Sequence, residues 1–493
     1  MKDIKEQQIW FITGSQHLYG TETLKQVAGN AQEIVKNLNG SAKLPLPIVY
    51  KPVVKTPGEI HAIMLEANSD RKCIGIITWM HTFSPAKMWI SGLQILVKPF
   101  LHLHTQFNRD IPWNEIDMDF MNLNQSAHGD REFGYICSRL GLNRKVVVGY
   151  WQDQKVHEQI NTWMRAAMAL AESRGLRICR FGDNMRDVAV TEGDKVEAQK
   201  MLGWQVRYHG IGELVESVKE ASEKAVDDLL GEYNERYKMA SNQTDHIRYQ
   251  ARIELGLKAF LDAHDYKAFT TNFEDLTGLE QLPGLASQRL MEQGYGFGAE
   301  GDWKQSALVR LMKVMAAGLE GGCSFMEDYT YHLDPEQPAV LSAHMLEICP
   351  TISDGTPSLE VHPLGIGGKL APARLVFDVK PGRGLNATLV DMGGRMRMIV
   401  NPVRVIRPKA LPKLPVARAL WIPEPSLEIS AAAWILCGGA HHTSFSMALN
   451  IYHLEDFAEM TGLEFIIIDE KTDLRDIKKE LRFNDTSYHI MKR

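Results

Sequence analysis

Short apolar runs alternate with amphipathic segments through the first third of the chain. Four runs predict strands, at residues 8–13, 47–50, 73–79 and 145–150. The run at 73–79 (CIGIITW) is apolar throughout, as expected of a strand that is covered on both faces. Three segments between or after these runs predict helices, at residues 22–38, 57–66 and 156–173. This alternation indicates βαβ units on a doubly wound parallel sheet, where ligands bind beyond the carboxyl ends of strands. The loops 14–20 and 81–85 are therefore candidate site loops.

The pattern changes twice more along the chain. A second α/β section begins near residue 175, with a strand at 176–181 and long charged helices at 213–239 and 245–262. In the last third, helices are scarce and short β-type runs are separated by Gly and Pro, at 374–379, 386–391, 395–400 and 418–422. We therefore expect two consecutive doubly wound parallel α/β domains, 1–174 and 175–322, followed by a mainly β, barrel-like domain, 323–493.

Composition excludes several classes of protein. A chain of 493 residues with 44% hydrophobic positions can bury large cores, so a bound metal is expected to be catalytic rather than structural. The net charge of −6 and the lack of a basic stripe argue against a nucleic-acid partner. The chain has no membrane-length apolar stretch and no signal-peptide pattern, and its six cysteines form no CxxC pair. We expect buried thiols, no membrane association and a cytoplasmic location.

The glycine-rich segment 294–304 (GYGFGAEGDWK) contains the pattern Gly296-x-Gly298-x-x-Gly301. A dinucleotide site needs a strand before this pattern and a helix after it, whereas residues 287–293 have a helical pattern. We favour a glycine-rich loop that holds Glu300 close to a ligand, because glycine permits close backbone approach. The alternative is a solvated carboxylate.

Three further segments carry candidate chemistry. Residues 324–332 place Glu327 and Asp328 among aromatic residues, where burial would raise their pKa values, unless this is an edge strand with solvated acids. His344 has apolar neighbours, which is also typical of a core histidine. His441 and His442 lie in the segment GGAHHT, which a surface loop or a helix start would also explain. Two carboxylates and two imidazoles suit Mn²⁺ or a similar divalent ion, but their spacing does not establish proximity.

Eight ordered motifs resemble the L-arabinose isomerase family: GSQHLYG at 14–20, WMHTFSPAKMWI at 79–90, NQSAHGDREFG at 124–134, FGDNMR at 181–186, GYGFGAEGDWK at 294–304, FMEDYTYH at 325–332, AHMLEICP at 343–350 and GGAHHT at 438–443. They extend from the first predicted strand to the C-terminal domain. The resemblance implies three domains and one Mn²⁺ per subunit, with Co²⁺ or another divalent ion as an alternative.

The resemblance also implies roles for individual residues. The metal ligands would be Glu300, Glu327, His344 and His442, with His441 as the neighbour most easily mistaken for a ligand. The sugar pocket would be lined by Gln16, Leu18, Phe83, Gln125, His128, Met185, Phe273, Tyr329 and Ile366. Family members are homo-oligomers, commonly hexamers and sometimes tetramers, with a site shared between subunits. Phe83 and His128 would then serve a neighbour's metal.

The expected activity is the isomerisation of L-arabinose to L-ribulose in L-arabinose catabolism, and of D-galactose to D-tagatose. Glu300 and Glu327 would transfer protons, with acid and base unassigned, through a cis-enediol or alongside a hydride shift. The alternatives are another Mn²⁺-dependent sugar isomerase resembling L-fucose isomerase, a metal-dependent hydrolase, a sugar-binding protein of α/β lobes and an NAD-dependent dehydrogenase. An isomerase conserves mass, unlike a hydrolase, and acts without the NAD that a dehydrogenase requires.

Overall fold

The computed structural model describes residues 6–365 and 368–491. Two compact units make up this part of the chain. The first contains the described residues up to Ala171 together with Tyr452–Met460. The second contains Glu172–Ile451 and the described residues from Thr461 onward. The three-domain division stays a prediction.

The first unit is built on a five-stranded parallel sheet. Its strands are β1 (Gln8–Gly14), β2 (Ile48–Tyr50), β3 (Cys73–Met80), β4 (Phe100–His104) and β5 (Lys145–Val148). Its helices are α1 (Gly20–Asn39), α2 (Pro57–Ser69), α3 (Ile90–Ile95), α4 (Met118–Leu123), α5 (Ser126–Arg139) and α6 (Gln154–Ser173). The strand order β2-β1-β3-β4-β5 confirms the doubly wound prediction. The order reverses between β1 and β3, so the loops 14–20 and 81–85 follow the two strands that flank the switch point.

The second unit begins with a four-stranded parallel sheet of order β10-β9-β6-β7. The strands in this region are β6 (Arg177–Phe181), β7 (Gln205–His209), β8 (Lys238–Met239), β9 (Ala268–Thr271) and β10 (Gly296–Ala299). The helices are α7 (Lys195–Leu202), α8 (Ile211–Lys219), α9 (Glu223–Arg236), α10 (Thr244–Ala263), α11 (Gly284–Glu292) and α12 (Trp303–Met315). The single helix predicted over 213–239 is wrong. Ser222 begins a new helix there, because its side chain accepts a hydrogen bond from the Ala225 amide.

The segment predicted as a glycine-rich loop is a strand, β10. A Cβ atom on Gly296 would lie 2.0 Å from the Ser306 carbonyl oxygen, and one on Gly298 would lie 2.4 Å from the Asp302 carbonyl oxygen. Both glycines therefore allow α12 to pack directly against β10. The space that a phosphate would need in a dinucleotide site is filled here by the helix backbone.

A closed barrel forms the rest of the second unit. Its strands are β11 (Cys323–His332), β12 (Ala339–Ala343), β15 (Gly382–Asp391), β16 (Met396–Ile406), β17 (Arg418–Pro423) and β18 (His442–Ser446). Each pairs antiparallel with its neighbours in the closed order β15-β18-β11-β12-β17-β16-β15. This confirms the barrel-like prediction. β19 (Glu464–Ile467) adds parallel to β16, and β13 (Ser358–Val361) pairs with β14 (Ala373–Val376) and with β8.

The pattern in the last third did not indicate three helices: α13 (Leu427–Leu436), α14 (Ile451–Thr461) and α15 (Leu474–Met491). Short 3₁₀ turns occur at His17–Tyr19, Ala86–Trp89, Ala189–Thr191 and Pro350–Ile352. One hydrophobic core joins Tyr233 on α9 to Trp421 and Phe445 inside the barrel. All six cysteines are buried and free, as expected. Within the described part of the chain, every helix is too short or too polar to span a membrane.

Candidate functional site

Neighbouring strands bring the four residues predicted as metal ligands together. Glu300 follows β10, Glu327 lies on β11, His344 follows β12 and His442 begins β18. In the barrel, Glu327 pairs directly with His442 on one side and with Ala343 on the other. Directly opposed residues of antiparallel strands have side chains on the same face. The ladder therefore places Glu327 beside His442, and His344, just beyond the end of β12, comes within 3.8 Å of Glu327.

The donor atoms form two overlapping groups of three, each compact enough to hold an ion. His442 Nε2 lies 3.6 Å from Glu300 Oε2, and His344 Nε2 lies 3.8 Å from Glu327 Oε2. Donor atoms of Glu300, His344 and His442 all lie within 4.8 Å of one another, and so do those of Glu327, His441 and His442. His442 is fully buried, yet its Nε2 has no hydrogen-bond partner among the described residues. A buried nitrogen without a partner, beside two carboxylates, fits a divalent cation.

Two further carboxylates orient the imidazoles, and the sequence reasoning missed both. Asp302 Oδ2 lies 3.2 Å from His442 Nδ1, and Glu347 Oε2 lies 2.5 Å from His344 Nδ1. Each Nδ1 is thereby held on the side opposite the cluster, which leaves Nε2 directed inward. This is the usual arrangement behind metal-binding histidines. Both acids lie within the quoted motifs, but nothing in the residue pattern distinguished them from solvated acids.

Burial dominates the electrostatics of the cluster. It raises the pKa of Glu327 above its ordinary value, although the neighbouring His344 and His442 oppose this. It also raises the pKa of Asp328 to about 7, despite the hydrogen bond that the Ser342 hydroxyl donates to this carboxyl. For His344, burial opposes the charged form, but Glu347 and the two cluster glutamates raise its pKa to about 9. The effect expected of burial on this acidic pair is therefore present.

Glu300 has a left-handed backbone conformation, with φ of 61°. For a residue other than glycine this costs about 1–2 kcal/mol. The surrounding loop holds it, because the Met185 amide donates a 2.9 Å hydrogen bond to the Glu300 carbonyl oxygen. Asn184 lies against Gly301, where a Cβ would be 2.5 Å from the Asn184 Cα. Met185, a predicted pocket residue, thus lies beside Glu300. Strain of this kind concentrates at functional sites.

A small pocket adjoins the cluster. Glu300, His344 and Glu347 form its polar part, and its apolar lining includes Phe273, Leu276, Leu282, Pro283, Met345 and Leu346. Phe273 was among the predicted pocket residues. Tyr329, also predicted, lies two residues beyond Glu327 on β11, and its side chain is exposed. Ile366 lies outside the described residues.

The other five residues predicted for the sugar pocket lie in the first unit. Phe83 and His128 stack with ring centroids 4.6 Å apart, and His128 Nδ1 lies 3.2 Å from Gln125 Oε1. Gln16 and Leu18 lie in the loop between β1 and α1, and Leu18 is 83% exposed. Within this unit, therefore, three of the five form one contiguous group.

Three family models match successive parts of the chain. They are the L-arabinose isomerase N-terminal domain at residues 3–175, the central domain at 177–318 and the C-terminal domain at 322–464. Curated relatives match along nearly their whole length. The chain is 58% identical over 499 residues to an L-arabinose isomerase of Herpetosiphon aurantiacus, covering 100% of both chains. It is 60% identical over 492 residues to that of Geobacillus thermodenitrificans, covering 98% of this chain and 99% of the relative. It is 56% identical over 496 residues to that of Thermotoga petrophila, covering 100% of both.

The fold, the carboxylate–imidazole cluster and these relatives define an enzyme of the isomerase class. The matches to these relatives extend over nearly the whole chain and therefore include both units of the fold. The chain belongs to the L-arabinose isomerase family.

Proposed function

We propose that the protein interconverts L-arabinose and L-ribulose as a step of L-arabinose catabolism, and that it also converts D-galactose to D-tagatose. The observation that carries the proposal is the match at 56–60% identity to proteins named L-arabinose isomerase along the whole chain. Both aldoses have the same configuration at the reacting end. They differ by a hydroxymethyl group at the far end, and contacts with a group of this size discriminate only about 10–200-fold.

The proposed cofactor is one Mn²⁺ per subunit, held by Glu300, Glu327, His344 and His442, with Co²⁺ as an alternative. The support is the convergence of these donor atoms and the unpartnered Nε2 of His442. Mixed carboxylate and imidazole ligands suit a borderline divalent ion and leave coordination positions for substrate. When bound, the ion would act as a Lewis acid on the sugar's carbonyl group.

The two glutamates are the proposed proton carriers. One removes a proton from C2 or O2 of the open-chain aldose, and the other returns a proton to the opposite carbon or oxygen. The pKa of Glu327 is raised by burial, and a pKa shifted toward the operating pH favours a group that both takes and returns a proton. Whether hydrogen moves through a cis-enediol or as a hydride from C2 to C1 can be read from C2-deuterated sugar. Substantial exchange with solvent would exclude a pure hydride shift.

The sugar pocket is proposed to include the predicted residues near the cluster, and the protein to act as a cytoplasmic homo-oligomer, a hexamer, with Phe83 and His128 serving a neighbour's site. An exposed apolar surface in the first unit supports self-association. It includes Ile111, Trp113, Ile116, Met118 and Met121, and Trp113 is 78% exposed. Several large apolar side chains exposed within one short segment are typical of protein–protein contact surfaces.

The decisive experiment is to strip the enzyme of metal, add back Mn²⁺ and quantify L-arabinose and L-ribulose. We expect activity to be lost on stripping and restored by Mn²⁺ without added NAD. A product of altered mass would instead indicate a hydrolase, and full activity after stripping would contradict the proposed cofactor. Size-exclusion chromatography with light scattering measures the oligomeric state.

A further inference from the structure

A second group of metal-ligating side chains lies in the first unit, formed by residues for which no role was predicted. His102 and His104 are on β4, and Asp130 is on α5. His102 Nε2 lies 2.8 Å from Asp130 Oδ1, and His104 Nδ1 lies 2.8 Å from Asp130 Oδ2. Each carboxylate oxygen thus faces one imidazole nitrogen, and donor atoms of the three residues lie within 4.8 Å of one another.

This arrangement has the surroundings that a bound cation requires. The Met80 amide donates a 3.1 Å hydrogen bond to Asp130 Oδ1, which fixes the carboxylate from behind. His102 and Asp130 are buried, whereas the His104 side chain is 28% exposed. The exposed edge of His104 provides an entry path and room for a water ligand. Among the described residues, the His102 ring makes its only hydrogen bond to Asp130, so the polar anchoring of the ring lies entirely on this side.

We infer that His102, His104 and Asp130 form a second divalent-cation site, for an ion of the Zn²⁺ or Co²⁺ type. Two imidazoles and one carboxylate are borderline ligands, which favour these ions over Mg²⁺ or Ca²⁺. Ligand bonds of about 2.0–2.2 Å in tetrahedral geometry place neighbouring donor atoms about 3.3–3.6 Å apart, so an ion would widen the two Asp130–histidine separations, each 2.8 Å, by about half an ångström. The site shares no residue with the Glu300 cluster.

The role of this site is to join β4 to α5. Helix α5 packs directly against the loop after β3, since a Cβ on Gly129 would lie 2.6 Å from the Thr82 carbonyl oxygen. The Gln125 amide, at the start of α5, donates a 2.9 Å hydrogen bond to the His81 carbonyl oxygen. A cation at Asp130 therefore holds the helix that carries Gln125 and His128. It acts through position, without contact to the sugar.

The test is a count of bound Co²⁺ per chain on the full-length enzyme, stripped and then equilibrated with excess Co²⁺, by mass spectrometry of the metal. We expect two ions for the unaltered protein and one for His104→Gln, whose amide can still donate to Asp130. His61→Gln, a half-buried histidine on α2 outside the cluster, serves as the matched control and should keep two. Circular dichroism establishes that each variant is folded.

A second experiment distinguishes this site from the cluster of Glu300, Glu327, His344 and His442, called the Glu300 cluster. In crystals soaked with Co²⁺, anomalous density is expected between His104 and Asp130 in both the unaltered protein and a His442→Gln variant. Absence of that density, or equal Co²⁺ content in the unaltered protein and His104→Gln, would overturn the inference and leave a hydrogen-bonded His–Asp–His group. Neither result would bear on isomerisation, because the Glu300 cluster is counted separately through His442→Gln.

Discussion

Each histidine of the proposed metal site has a carboxylate on its far side. Asp302 holds His442, and Glu347 holds His344. A ring fixed in this way presents one nitrogen without rotating, so little conformational entropy is lost when an ion binds. Among the described residues, no carboxylate is hydrogen-bonded to His441, and burial lowers its pKa to about 4. This difference between adjacent histidines leads to the first prediction.

Replacing His442 by Ala should weaken Mn²⁺ binding more than replacing His441 by Ala. The reason is that His442 is buried and directed into the cluster by Asp302, whereas His441 is not held in this way. Isothermal titration calorimetry of the two stripped variants measures the difference, which we expect to be at least about 10-fold, the lower end of the effect of disturbing such a site. Equal affinities in the two variants would contradict the ligand assignment.

Glu327→Gln should reduce turnover by about 10²–10⁴-fold while the protein stays folded, because the amide can neither take nor return a proton. Steady-state measurement of L-ribulose formation gives the rate constant, and size-exclusion chromatography checks the assembly. Glu336→Gln, at an exposed acid beyond the end of β11, is the control and should behave like the unaltered enzyme. Near-normal turnover of Glu327→Gln would remove this residue from the mechanism.

His81 should make the first unit sensitive to acid. Burial lowers its pKa to about 3, and its ring stacks on Trp79 with Nε2 2.7 Å from the Asn30 amide nitrogen. The unfolded chain takes up this proton near pH 6.5, before the folded protein does. The stabilisation of the folded state by the buried, neutral His81 is therefore fully present above pH 6.5 and is lost as the pH falls toward 3. Urea unfolding at pH 7.5 and pH 5 should show that the free energy of unfolding falls less in His81→Gln than in the unaltered protein. Equal losses in the two proteins would contradict this role of His81.

At the scale of elements, β10 and α12 form the support on which Glu300 is placed. The two glycines of β10 bring α12 so close that the connection between them turns sharply, through two residues with positive φ, Glu300 and Gly301. Asp302 then caps α12 by accepting a hydrogen bond from the Gln305 amide. The geometry of the cluster thus depends on how tightly one strand and one helix pack.

Gly298→Ala should therefore damage both stability and activity. The added methyl group would meet the Asp302 carbonyl oxygen at 2.4 Å, and overpacking of this kind costs about 1–3 kcal/mol. Gly231→Ala on α9, where the new methyl meets nothing within 4 Å, should leave stability equal or higher. Chemical denaturation of both variants measures the difference. A Gly298→Ala protein as stable and active as the original would show that the contact is not needed.

Elements with strong local signals could be predicted, and those set by context could not. The buried run of β3 and the amphipathic α6 were expected nearly as they occur. The break between α8 and α9 was missed because Ser222 resembles any exposed serine until its side chain caps the following helix. At the site, the residue types indicated metal chemistry. Their proximity depends on the register that pairs Glu327 with His442, and no local pattern encodes that register.

At the scale of the whole molecule, the proposed metal ligands come from one strand end of a parallel sheet and three strands of a closed barrel. Three of these elements follow one another between residues 296 and 343, whereas β18 is about 100 residues further on, and all lie in the second unit. A cation bound there would cross-link the parallel sheet to the barrel. Its binding energy would therefore stabilise the folded state of that unit as a whole.

Mn²⁺ should raise resistance to unfolding through this linkage. At a free concentration of about 100 times Kd, the expected gain is about 2.7 kcal/mol. Differential scanning calorimetry of stripped and reconstituted enzyme measures the gain, and His442→Ala should lose most of it. If Mn²⁺ did not raise the unfolding temperature of the unaltered protein, the ion would not bind at this site.

The two carboxylate oxygens of Asp302 have different structural roles. Oδ1 accepts the Gln305 amide that starts α12, and Oδ2 holds His442. A substitution at Asp302 would therefore remove the cap of a buried helix and the orientation of a site histidine together. Selection for a stable fold alone would therefore preserve Asp302, even in a relative that acts on a different sugar. In the pocket wall, Leu276 and Leu282 also belong to the hydrophobic core, whereas Phe273 and Met345 are only partly buried. New substrate preferences can therefore evolve most freely at Phe273 and Met345.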